Sequence, residues 1–451
     1  MFDVREKPKM VQRALLVGAY FTRDGETEAK SLLEELRELV DTLGIGVVEA
    51  VCYYVRDSNK RYLMGKGKAH ETMELAKELD CDCIVFDNEL SPSQQRAWEE
   101  EANLTTIDRQ EVILDIFNMR AQTKEARLQV DLARMEYSLP RLARMWAHLD
   151  RQGGGSGGGK GGKGAARGEG EKQIEVDRRI ARKRIDRIRA ELAHVVKVRD
   201  TQRKERLKTP VPTASIVGYT NAGKSSLLNK LTGSAVYVED QVFATLDPTT
   251  RKIELPDGQA LLLTDTVGFI RNLPHRLVQA FKATLEEAIL ADFLVHVLDA
   301  NSPDIFDHFK TTMDVLAELG ADEKRILVVI NKIDLLADKP TRLHELKTHF
   351  PDAIYISVET REGLDLLSHR MNEMLLDRVL KLELRIPQSR QDLVALLHRE
   401  GKILSQDYEG NDVLLQTVIP TRLESKVHDF ILPPEKKPTD ASPQASPAPN
   451  R

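Results

Sequence analysis

Residues 213–230 read TASIVGYTNAGKSSLLNK: an apolar run, a loop bounded by glycines, and a helix-forming stretch. A strand that ends in GxxxxGK[ST] and turns straight into a helix makes one βα unit. Such a unit buries its strand only inside a parallel sheet with helices on its faces. The loop carries chemistry as well, because its backbone N–H groups and the helix N-terminus converge on one point and favour negative charge there. On this reading Gly218, Tyr219, Thr220, Asn221, Ala222, Gly223, Lys224 and Ser225 surround phosphates. Lys224 reaches the β and γ oxygens, and the Ser225 hydroxyl ligates Mg²⁺.

Two further motifs follow in order. DTVG (Asp265, Thr266, Val267, Gly268) ends the strand LLLTD, where a carboxylate holds Mg²⁺ through water and a glycine N–H meets the γ-phosphate. NKID (Asn331, Lys332, Ile333, Asp334) ends the apolar run RILVVI. A carboxylate there accepts from N1 and the exocyclic amine of guanine, groups that adenine arranges differently, so GTP and GDP are the expected ligands. Between the first two motifs lies VFATLDPTTR, covering Phe243, Ala244, Thr245, Leu246 and Asp247, with a threonine expected to close over Mg²⁺ and γ-phosphate. Thr245, Thr249 and Thr250 all qualify on chemistry. Ser357, Val358 and Glu359 fall where a loop capping guanine belongs, and an ordinary strand end reads those residues equally well.

Lys224, Thr245 and Gly268 are thus the candidate catalytic set, yet the next residue is Phe269. Switch GTPases that work unaided usually place a glutamine there to orient the attacking water. Phenylalanine cannot do so, and hydrolysis should be slow without a partner that completes the site. Asn221 offers one partial remedy, a K⁺ ion held near the phosphates.

Before this region the pattern alternates strand and helix from Arg13 to about residue 102, a first α/β domain taken to residue 110. A helical stretch from 111 to 152 is interrupted only by Pro140, and a second runs from 171 to 208. Between them GGGSGGGKGGKGAARGEG (153–170) holds eleven of the 26 glycines, so the expected form is an antiparallel helical hairpin with a Gly-rich tip. Residues 153–208 carry 17 Lys+Arg against 8 Asp+Glu, a local +9 in a chain of net −5. Scattered charges on a helix are usually a solvated face. A basic stalk with a glycine tip favours contact with folded RNA through phosphates, and Lys160, Lys163, Arg167, Arg178, Arg179 and Arg182 are the candidates.

The GTPase domain is expected over 209–380, a small α+β domain over 381–432, and a disordered Pro-rich tail over 433–451. The fold class is therefore α/β, with a helical hairpin and a small C-terminal unit. Three cysteines, Cys52, Cys81 and Cys83, suit a reducing cytoplasm, and no apolar run reaches membrane-spanning length.

GYTNAGKS, FATLDPTTR, DTVGFIRNLPH and LVQAFKATLEEAILADFLVHVLDA resemble the HflX-type GTPases, and ELSPSQQR, DRQEVILDIFNMRAQTKEARLQVDLA and GEGEKQIEVDRR extend the likeness over residues 10–430. The resemblance implies a cytoplasmic GTPase that binds the large ribosomal subunit and splits stalled or idle ribosomes, notably after heat stress, with hydrolysis stimulated by the ribosome; a monomer is the expected state. It also implies that Thr245 shares Mg²⁺ with Ser225. Other readings are a subunit-assembly or anti-association switch, and an RNA remodeller with a separate ATP site in the N-terminal domain. The tip departs from the family, whose members end it in RGPGE where this chain has ARGEGE. The capping segment is usually SA and here reads Ser357-Val358.

Overall fold

The computed structural model describes residues 11–141, 165–206, 211–233, 243, 246, 248–272, 288–321, 323–376, 379–420 and 423–432. Two large sheets share one compact unit, and a small antiparallel sheet belongs to a second.

The first sheet forms around β1 (Arg13–Tyr20), whose core residues Ala14 to Val17 are fully buried, as befits a central parallel strand. Its partners are β2 (Gly46–Tyr54), β3 (Cys83–Phe86) and β4 (Thr105–Asp108), in the order β2-β1-β3-β4 and all parallel. Helix α1 (Glu26–Thr42) buries Leu33, Leu36, Leu39 and Val40 at helical spacing. Helix α2 (Lys66–Glu78) opens from Gly65. In α3 (Pro92–Ala102) Ser91 and Gln94 make a reciprocal capping box with Pro92 in the first turn.

The stretch read as one helix from 111 is two. Helix α4 (Arg109–Arg120) is capped by Asp108, buries Val112, Ile113, Ile116 and Phe117, and stops at an extended Ala121. Thr123 then caps α5 (Lys124–Ser138), its hydroxyl accepting from the Ala126 amide at 3.1 Å. The break precedes Pro140, which lies in a short 3₁₀ turn. Helix α6 (Ala165–Arg206) begins inside the stretch read as a loop. It lays Ala181, Ile185 and Ile188 inward, while Arg189 pairs with Glu136 of α5 at 2.7 Å.

The second sheet consists of β5 (Thr213–Gly218), β6 (Thr249–Glu254), β7 (Ala260–Asp265), β8 (Phe293–Asp299), β9 (Ile326–Asn331) and β10 (Ile354–Tyr355), in the order β10-β9-β8-β5-β7-β6. Only β6 is antiparallel to its neighbour. Helices α7 (Lys224–Thr232), α8 (Ile305–Glu318), α9 (Pro340–His349) and α10 (Leu364–Leu376) complete this part of the sequence. One apolar core joins residues of both large sheets, from Leu16 and Ile116 to Val217, Phe269 and Leu294.

In the second unit β11 (Val379–Pro387), β12 (Lys402–Glu409) and β13 (Asp412–Pro420) form an antiparallel sheet with β13 in the middle. Helix α11 (Gln391–Glu400) contributes Leu393 and Leu397 to its core beside Leu384, Ile386 and Leu415. No helix among the described residues is long and apolar enough to cross a membrane.

Candidate nucleotide site

All three motifs leave the carboxyl ends of strands in one sheet: GYTNAGKS after β5, DTVG after β7 and NKID after β9. Open parallel sheets bind ligands at that edge. Three backbone features shape the first loop. Gly218, Asn221 and Gly223 have φ of 145°, 59° and 92°, so the chain curls tightly between β5 and α7. A Cβ at Gly268 would stand 2.9 Å from Lys224 Nζ, which explains why the DTVG loop needs glycine to approach the lysine.

Lys224 is only 6% exposed, and its ammonium donates to the Tyr219 carbonyl at 2.7 Å. Burial pulls its pKa down to about 8, opposed by the carboxylate of Asp265. Ser225 Oγ lies 2.6 Å from Asp265 Oδ2. This hydroxyl and carboxylate are hard oxygen donors side by side at a helix N-terminus, a set that fits Mg²⁺. Thr266 is spent on structure, donating to the Ile216 carbonyl at 2.7 Å.

Phe269 pairs with the loop it follows. Its amide donates to the Gly218 carbonyl at 3.1 Å, and its carbonyl accepts from Thr220 at 2.9 Å. The ring is 2% exposed and belongs to the shared core. It offers no polar group to a water molecule.

At the other end of the site Asn331 acts as a staple. Its Nδ2 donates to the Ala222 carbonyl at 3.0 Å, and its Oδ1 accepts from the Val358 amide at 3.1 Å. Lys332, held at φ 65°, pairs with Asp299 at 2.8 Å. Ile333 donates through its amide to the Ile356 carbonyl at 3.3 Å, and Asp334 follows in a 3₁₀ turn. Ser357 lies beyond the end of β10, buried, its Oγ accepting from the Thr360 amide at 3.1 Å. The loop holding Ser357, Val358 and Glu359 is therefore drawn against NKID, beyond the end of the strand.

Of the segment read as a closing switch, Ala244, Thr245 and Asp247 lie outside the described residues. Phe243 and Leu246 are both 2% exposed. Phe243 meets Phe117 of α4 edge to face at 4.6 Å, so α4 packs directly on this residue of the segment. Thr249 and Thr250 stand in β6, where the Thr250 hydroxyl bonds that of Thr264 at 2.9 Å.

Sequence reading missed the polar network that joins the DTVG loop to α1. Glu35 accepts from Tyr219 Oη at 2.7 Å and Arg271 Nε at 2.9 Å, and pairs with Arg109. Tyr219 Oη also accepts the Arg271 amide at 2.7 Å, while its ring stacks on His308 at 3.7 Å. Arg109, 2% exposed, binds Asp87 at 2.7 Å and the Arg271 carbonyl at 3.3 Å. Desolvation raises the pKa of Asp87 and its pairing with Arg109 opposes that rise. These residues are far apart in sequence, and each reads as a charge on its own element.

Of the basic residues read as RNA contacts, Lys160 and Lys163 lie outside the described residues, as does the side chain of Arg167. Arg178, Arg179 and Arg182 are exposed on α6. Arg178 and Arg182 help line a groove of about 800 Å³ between α6 and Leu139–Pro140.

Three family profiles match in succession: a GTP-binding GTPase N-terminal region over residues 30–118, a GTP-binding GTPase middle region over 120–206, and a 50S ribosome-binding GTPase over 213–332. The GTPase HflX of Akkermansia muciniphila is 56% identical over 434 residues, 96% of this chain and 99% of that one. The chain belongs to the HflX GTPases. The HflX of Escherichia coli K12 is 41% identical, with 88% of each chain covered. A GDP-bound GTP-binding protein of Sulfolobus solfataricus overlaps at TM-score 0.42 and 25% identity, covering 81% of this chain and 99% of that one, too loosely to bear on the site. As an HflX GTPase the chain is a P-loop GTP hydrolase.

Proposed function

We propose that this HflX chain is a cytoplasmic, Mg²⁺-dependent GTPase that docks on the large ribosomal subunit, splits stalled or idle ribosomes in its GTP form, and turns GTP over rapidly only there. The observation that carries the reading is the buried ring of Phe269 where a water-orienting side chain belongs. Lys224 and the amides of residues 218–225 supply charge for bound phosphates, Ser225 and Asp265 hold the metal, and Thr245 closes on it. Mg²⁺, when bound, neutralises charge that develops on the phosphate oxygens. Asp334 reads guanine, while Ser357 and Val358 cap it. Asn221, exposed at φ 59°, places its amide where K⁺ can sit. With phenylalanine at position 269 the chain has no side chain there to orient a water, and a docked partner that rearranges the DTVG loop completes the site.

Support for an RNA-rich partner comes from the exposed Arg178, Arg179 and Arg182 and from the family profile described as 50S ribosome-binding. The test is GTP turnover with and without purified large subunits, in potassium and in sodium buffer. The reading requires stimulation by subunits, with a salt slope that flattens when the three arginines are neutralised. Brisk turnover of the isolated chain, indifferent to subunits, overturns it. Ribosome splitting with GTP and with a non-hydrolysable analogue separates a splitting factor from an anti-association switch.

A further inference from the structure

The N-terminal sheet has its own ligand edge. Strand order reverses between β1 and β3, and a cavity of about 860 Å³ opens at their carboxyl ends, the position where doubly wound sheets hold small molecules. None of the motifs accounts for it. Ala29 and Leu63 are buried in its wall and Phe21 stands at its rim, 46% exposed.

The polar side of the wall is acidic. Glu28 and Glu89 are exposed and carry no hydrogen bond or ion pair among the described residues. Asp87 lies deeper. Arg109 is the single basic residue in the wall, and it is already bound by Asp87 and Glu35. Among the described residues of the wall a phosphate would meet two uncompensated carboxylates and no free cation, so the wall is complementary to positive charge. Among the described residues no three acidic, histidine or cysteine side chains converge closely enough to hold a metal ion. The same wall holds the apolar Phe21, Ala29, Leu32 and Leu63, and a complementary ligand joins positive charges through an apolar stem.

We propose that this cavity is a binding site for a linear aliphatic oligoamine. Its ammonium groups pair with Glu28 and Glu89, and its methylenes lie along Phe21 and Leu63. Asn272, the residue after Arg271, also borders the cavity, so the occupant touches the end of the DTVG loop.

Isothermal titration of the full chain with spermidine, in buffer containing Mg²⁺ and about 100 mM KCl, tests the site. One saturable event is expected, weakened about tenfold by Glu28→Gln with Glu89→Gln. A control variant, Glu318→Gln with Glu323→Gln, removes two exposed carboxylates elsewhere and should bind as the parent does. Both pairs are exposed, so each variant is expected to melt as the parent does. No saturable heat, equal binding by the first variant, or equal loss in the control overturns the proposal, the last by showing diffuse counterion attraction.

Discussion

The chain has two parallel sheets whose carboxyl edges are built alike and charged oppositely. At the second sheet, a glycine-bounded loop wraps one buried ammonium, Lys224, which donates to the Tyr219 carbonyl. At the first, carboxylates ring a cavity and the one guanidinium, Arg109, is consumed by Asp87 and Glu35. Architecture fixes where a ligand sits, and the loops fix its charge. The two edges are also connected, because Arg109 and Glu35 grip Arg271 just beyond Phe269.

The sharpest way to break this comparison is Arg109→Ala. It strands the buried Asp87 and takes one partner from Glu35, which Arg271 and Tyr219 still hold, and should cost about 3–5 kcal/mol, measured by chemical denaturation. A loss under 1 kcal/mol would mean that the first edge is not held by its ion pairs. At the second edge Lys224→Ala should weaken GTP binding about a hundredfold or more, in a fluorescent-nucleotide titration, and leave spermidine binding unchanged. Loss of both together would show that the edges are one site.

His296 probes what lies beneath the second edge. It is fully buried in β8, stacks on Phe309, and has no hydrogen-bond partner for either ring nitrogen among the described residues. Burial and the Lys224 charge lower its pKa to about 3. Between that value and the unfolded pKa of about 6.5 the unfolded chain binds the extra proton, so stability falls as pH falls through this window. His296→Leu should remove that fall, a relative gain of roughly 2 kcal/mol at pH 5 against pH 7. Parallel pH profiles for parent and variant would refute it.

The smallest effect concerns Lys224 itself. Its pKa of about 8 leaves the ammonium partly deprotonated near pH 8.5, and bound phosphates should raise it. GTP binding should then take up a fraction of a proton at pH 8.5 and almost none at pH 6.5, read from titrations in buffers of differing ionisation enthalpy. Release of protons at pH 8.5 would contradict this.

The second edge was legible because its motifs are contiguous: four to eight neighbouring residues fix each loop, and the strand before each is a plain apolar run. The first edge was not, since Glu35, Arg109 and Arg271 acquire meaning only when folding brings them together. Strand β4, only four residues, was hidden between helical patterns. The helix break at 121–123 escaped because it contains neither proline nor glycine; Thr123 as a cap was its one signal. The basic residues Arg178, Arg179 and Arg182 lie exposed on α6, yet α6 starts within the glycine tract, where propensity alone forecasts a loop. Asn331 was read as part of a base-recognition motif, and its hold on Ala222 could be seen only in three dimensions.

That side chain has a mechanical consequence. One amide ties the GYTNAGKS turn at Ala222 to the turn at Val358, so movement of one pulls on the other. A purine of the wrong kind that pushes the outer turn aside would thereby spoil the cradle at the far end, and discrimination between bases would register as a loss of grip on the triphosphate.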